Sequence, residues 1–133
     1  MPQAAPYGSW RSPITAATIA SREVPIGTPE LIDGDVYWLE GKPLEGGRVV
    51  LVKHGAGGVR QELTPNPYYV RTRVHEYGGG AYVIHGSTVY FSNFADQRLY
   101  RQALSSDTTP RPITREPPIQ SGERYADAQL TGD

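Results

Sequence analysis

The chain has no cysteine, which excludes disulfides and thiolate metal sites and leaves the cellular compartment open. It does not begin with a basic segment followed by an apolar run, so no signal peptide is visible. No apolar stretch approaches the roughly 20 residues of a membrane-spanning helix, and no membrane partner is expected. An excess of positive charge is lacking too. Thirteen Lys and Arg face 14 Asp and Glu, for a net charge of -1, and no basic residues cluster beyond Arg71 and Arg73. Nucleic acid is therefore not an expected partner. With nothing directing it elsewhere, the expected location is cytoplasmic.

Familiar catalytic signatures are missing as well. There is no Gly-x-Ser-x-Gly nucleophile elbow. Gly55-Ala56-Gly57-Gly58 lacks the Lys-Ser/Thr that completes a phosphate-binding loop. The His-x-x-x-His spacing of zinc helices does not occur. No catalytic residue, metal site or cofactor is expected in this chain.

What remains is rich in turn formers and aromatics: 15 glycines, 12 prolines and 9 tyrosines in 133 residues. That length suits one domain, and the composition favours an all-β chain with many turns. Tyr7 and Trp10 are expected to anchor an N-terminal arm. Ser12-Pro13 predicts the start of a short helix running to about Ala20, with Ser12 as N-cap. Strands follow at Pro29–Asp33, Val36–Glu40, Val49–Lys53 and Val59–Thr64, with Asp33-Gly34-Asp35 as a tight turn. The pattern then recurs at Ala81–His85, Thr88–Ser92, Arg98–Gln102 and Arg111–Thr114. The offset is about 50 residues, near the period of propeller blades.

The expected fold is thus all-β: two four-stranded antiparallel propeller blades plus the start of a third, behind a short N-terminal helix. The expected boundaries are 1–23 for the arm and helix, 24–68 for blade 1, 69–118 for blade 2, and 119–133 for the opening of blade 3, near Arg124-Tyr125-Ala126-Asp127-Ala128. Two blades do not close a ring. Bare apolar flanks are expected at Val36, Trp38, Val50, Val52, Val89 and Phe91, making the chain part of a longer protein or a self-associating one. A self-contained two-sheet sandwich is the competing architecture.

Chemistry concentrates between Arg71 and Tyr82. If extended, this stretch turns Arg71, Arg73, His75 and Tyr77 one way and Thr72, Val74 and Glu76 the other. Gly78-Gly79-Gly80 follows, permitting positive φ and close backbone approach. Arg71, Arg73, His75, Glu76 and Tyr77 are the candidate substrate-binding residues. Guanidinium groups match carboxylates, and Glu76 suits a free α-amine. The alternative is a charged connection whose ions pair with neighbouring elements. His54 and His85 sit at strand ends and read as solvated or structural. The loop Asn93–Arg98 reads either as a connection in which Asp96 pairs with a local arginine, or as a ligand contact.

Four segments together carry a resemblance. They are Tyr7–Thr15, Asp35–Glu40, the run Arg71-Thr72-Arg73-Val74-His75-Glu76-Tyr77-Gly78-Gly79-Gly80, and Val89–Tyr100. Their order and spacing resemble the N-terminal part of prolyl oligopeptidase family serine peptidases, in the bacterial dipeptidyl aminopeptidase/acylaminoacyl-peptidase branch. The resemblance spans about Tyr7 to Asp127. It implies a propeller that screens peptide substrates by size and holds them near a triad in a C-terminal α/β-hydrolase domain. That domain and the remaining blades would be the partners this sequence lacks, and no catalytic position carries over. A free-standing binding module completed by self-association is the alternative.

Overall fold

The computed structural model describes residues 4, 6–9, 12–105 and 108–131. Trp10 lies outside them, and Tyr7 is almost wholly exposed. The helix α1, Ala16–Arg22, begins later than Ser12-Pro13 suggests. Thr15 is its cap, the Oγ1 accepting from Thr18 N at 3.0 Å, while Ser12 Oγ accepts from Ile14 N. Two hydroxyl caps compete for one helix start. The later one wins because Thr15 is extended, as an N-cap must be, and its hydroxyl reaches the amide three residues on.

The rest is two four-stranded antiparallel sheets. The first holds β1 (Ile26–Ile32), β2 (Asp35–Lys42), β3 (Arg48–His54) and β4 (Arg60–Glu62) in chain order, and the second holds β5 (Tyr82–His85), β6 (Thr88–Ser92), β7 (Leu99–Ala103) and β8 (Arg111–Pro112). Each is a meander, the blade architecture expected. Asp33 and Gly34 join β1 to β2 with φ of 51° and 86°, the left-handed pair that a two-residue hairpin requires.

One device ends the outer strand of both sheets. Leu63 N donates to Leu51 O at 2.8 Å, and Leu51 N donates to Thr64 Oγ1 at 3.0 Å. In the second sheet Ile113 N donates to Leu99 O at 2.8 Å, and Leu99 N to Thr114 Oγ1 at 3.2 Å. A threonine hydroxyl thus replaces the carbonyl that a continuing strand would offer, so β4 and β8 stop early with their partners satisfied.

The core lies between the sheets. Tyr37, Leu51 and Leu63 of the first meet Tyr82, Ile84, Val89, Phe91 and Tyr100 of the second, with Val70 and Ala81. Each such large side chain contributes about 1.5–3 kcal/mol by leaving water. Phe91 stacks on Tyr100 at 5.8 Å, and the Tyr68 ring stands edge-on to both. Polar ties cross the same interface: Gln102 Nε2 donates to Leu63 O at 2.6 Å, and Tyr82 OH to Thr28 O at 2.7 Å. Burial raises the Tyr82 pKa, with Glu30 adding to it.

The expectation of bare apolar flanks is overturned. Val89 and Phe91 face the core, and Val50 and Val52 have no exposed surface although they point away from it. They share the outer face of the first sheet with Trp38, Glu40, Lys42, Arg48 and Glu62, whose charges interlock. Lys42 Nζ lies 3.2 Å from Glu40 and 2.7 Å from Glu62, while Arg48 reaches Glu45 and Glu62. Long ionic side chains lie beside the valines on that face, with stems that suit apolar surface and heads that stay in water. Only Val36 of the six is exposed.

Candidate functional site

The segment from Tyr69 to Gly80 links the sheets, and its backbone bonds to both. Val70 N donates to Val49 O of β3, and Arg71 N to Ser92 O of β6. Val70 and Thr72 point inward and are buried, whereas Arg71 and Arg73 point outward. The alternation expected of an extended run holds this far and then fails. Thr72 Oγ1 accepts from Val74 N at 3.2 Å, Glu76 N donates to Arg73 O, and Gly78 N donates to Val74 O. Val74–Tyr77 is therefore a turn, with His75 and Glu76 in the left-handed region at φ 54° and 61°. His75, Glu76 and Tyr77 are all exposed, and Glu76 is not turned away from its neighbours as a strand would have it. An array of local hydrogen bonds outweighs a left-handed cost of about 1 kcal/mol for each such residue.

The turn creates two clusters. In the first, Arg71 and Arg73 lie over the Phe94 ring, 5.3 Å and 5.6 Å from its centroid, while Tyr69 stacks on that ring at 4.7 Å. Each cation–π contact contributes about 0.5–1 kcal/mol at an exposed position. In the second, Glu76 accepts from Arg124 at 2.6 Å and lies 3.8 Å from Arg73. The Arg124 hydrogen bond and charge lower the Glu76 pKa, assisted by Arg73. His75 has no polar partner among the described residues. Tyr77 is 96% exposed and borders an open groove of about 250 Å³ between the rim and Pro25, Ile26 and Leu39.

The loop after β6 supports the rim from behind. Gln97, fully buried, accepts from Arg73 N at 2.7 Å and donates to Phe94 O at 2.9 Å. Asn93 Oδ1 accepts from Tyr69 N. Asp96 does not pair with an arginine side chain. It accepts from Tyr100 OH at 2.6 Å, from Asn93 Nδ2 and from the Arg98 backbone N–H, while the Arg98 guanidinium donates to Thr114 O. Local turn geometry brings donors to the carboxylate before any guanidinium can reach it. Burial, then the Asp96 bond, pushes the Tyr100 pKa up to about 12.

Two partners of the site escaped the sequence reading. Arg124 and Asp127 come from the segment expected to open a third blade. Arg124 Nη1 also donates to Arg73 O, Asp127 Oδ1 accepts from Gly80 N at 2.7 Å, and Asp127 N donates to Gly80 O at 2.8 Å. The three consecutive glycines were the signal. A Cβ on Gly79 or Gly80 would sit 2.9 Å from the Asp127 carboxylate.

The fold matches solved structures closely. The chain superposes on a puromycin-hydrolysing peptidase of Mycobacterium tuberculosis with a TM-score of 0.86 and 44% identity, over 97% of this chain and 20% of that one. Puromycin hydrolase gives a TM-score of 0.83 at 36% identity, over 96% of this chain and 20% of that one. The chain belongs to the prolyl oligopeptidase family. It matches the N-terminal propeller region of these peptidases. A mutant of puromycin hydrolase complexed with PGG superposes with a TM-score of 0.79 at the same coverage. No protein-family model and no curated protein matches the chain. The chain spans 20% of the length of these prolyl oligopeptidase family relatives, which are larger peptidases with a further, C-terminal domain.

Proposed function

We propose that the chain acts as the N-terminal propeller portion of a serine peptidase, gating and positioning short substrates for a C-terminal hydrolase domain. The observation that carries this is the 44% identity across 97% of the chain to one fifth of a puromycin-hydrolysing peptidase. Puromycin is an aminoacyl amide with a free α-amine. A matching substrate class here is short peptides and aminoacyl amides, as in the dipeptidyl aminopeptidase/acylaminoacyl-peptidase branch.

In this reading the rim of Arg71, Arg73, His75, Glu76 and Tyr77 meets the substrate. Arg71 has no carboxylate partner among the described residues and is free to receive one. Glu76 is shared with Arg73 and Arg124, so an incoming amine must compete with them. That competition favours a role in selecting substrates over tight binding. Tyr77, beside the groove, supplies an exposed ring.

Arg73→Ala and Glu76→Ala in a full-length relative test the reading. The expected result is a lower kcat/KM on short peptides with the hydrolase domain intact, as judged by active-site titration. Unchanged kcat/KM for both variants would remove the rim from substrate handling.

A further inference from the structure

The two sheets carry the same cross-strand row, and the rows differ in charge. In the first sheet Glu30, Tyr37, Lys53 and Gln61 stand opposite one another on successive strands. In the second the row is Val83, Tyr90, Arg101 and Arg111. Tyr37 faces the second sheet. Tyr90 lies between Val89 and Phe91, which face the first sheet, so its own row is on the outer face.

The first sheet neutralises its row from within. Lys53 Nζ lies 2.5 Å from Asp35 and 5.7 Å from the Tyr37 ring centroid. The second sheet has Thr88 where Asp35 stood, two residues before the tyrosine, and Arg111 where Gln61 stood. Arg101 and Arg111 are therefore directly opposite, both exposed, and neither has a carboxylate partner among the described residues. Like charges in that relation repel. With Thr88, Tyr90, Thr108 and Thr109 they border a groove of about 460 Å³.

We propose that this outer face is a docking surface for an acidic β-strand, whose alternate carboxylates meet Arg101 and Arg111 beside the Tyr90 ring. The partner strand supplies the negative charge that the first sheet obtains from Glu30 and Asp35. In a longer protein this strand belongs to the next sheet, and the row specifies the residue type that sheet brings. Nothing in this assignment depends on peptide hydrolysis.

The probe is an octapeptide alternating Val and Glu, titrated into the isotope-labelled chain while backbone amide shifts are followed. Shifts are expected around Thr88–Tyr90, Arg101–Ala103 and Arg111. Binding should weaken roughly tenfold or more as salt rises from about 20 mM to about 300 mM. The Arg101→Gln/Arg111→Gln double variant should lose it to a similar degree, and a Val-Lys octapeptide should not bind. No binding of the Val-Glu peptide at low salt, or equal binding of both peptides, overturns the proposal. Equal binding by a folded double variant does so too. Should that variant not fold, the Val-Lys peptide and the salt series decide. A concentration-dependent dimer of the chain, dispersed by the same double substitution, would instead assign the face to a second copy.

Discussion

Arg124 Nη1 donates to Glu76 Oε1 at 2.6 Å across 48 residues of sequence, fastening the rim turn to the segment that follows the second sheet. Because the Glu76 pKa is lowered in the folded chain, ionised Glu76 contributes to stability. That contribution is complete above the ordinary glutamate value of 4.5 and drains away as pH falls through the lower folded value. A carboxyl-carbon NMR titration should place the Glu76 midpoint below that of a glutamate in an unfolded peptide. Arg124→Gln should move it back up, and an unmoved midpoint would sever the link.

Gly80→Ala should dislodge residues 124–127. Its new methyl would meet Asp127 Oδ1 at 2.9 Å and the Asp127 Cα at 3.4 Å, so both side chain and backbone must shift. A loss of about 1–3 kcal/mol is expected. Trypsin cutting after Arg124 should accelerate, and digestion at the wild-type rate would argue against the contact.

The two threonine stops should differ in cost. Thr64 is buried, so Thr64→Val strands the Leu51 N–H and should lose about 1–3 kcal/mol in urea melts. Thr114 is only partly buried, and water can replace its hydroxyl, so Thr114→Val should lose less. Thr64→Ser should recover most of the deficit. Equal losses for the two valine variants would contradict this account.

Tyr100 should resist ionisation. Its pKa is raised to about 12 from an ordinary 10.0, so the stability tied to its neutral hydroxyl is complete below 10.0 and lost as pH climbs toward 12. Ultraviolet difference titration of wild type against Tyr100→Phe should place the midpoint of this buried phenol well above 10.0. A midpoint near 10 would refute it.

Much of the fold was legible because strand and turn signals are local. The repeat of Val36-Tyr37-Trp38 at Val89-Tyr90-Phe91 located both second strands, and Asp33-Gly34 marked its hairpin. The rim was half legible. Arg71 and Arg73 do project together, but they converge on Phe94, a ring in another loop. The turn at His75-Glu76 rests on a hydrogen bond accepted by Thr72 Oγ1 and one donated by Gly78 N, which no alternation pattern reveals. Val50 and Val52 read as bare hydrocarbon because a strand pattern does not show what will share their face, and here that face is ionic and the valines are buried. One of the two readings of the Asn93–Arg98 loop gives Asp96 an arginine on grounds of charge, whereas its carboxylate accepts from Tyr100 OH, four residues on.

The interlocked ions above Val50 and Val52 set how the outer face of the first sheet answers to its solvent. A face sealed by oil is uncovered only at the cost of wetting it. Here Lys42, Arg48 and Glu62 are already partly hydrated, so the grip of that ionic layer loosens as salt rises. The oily interior between the two sheets has no such dependence, and the two faces of one sheet thus obey different controls.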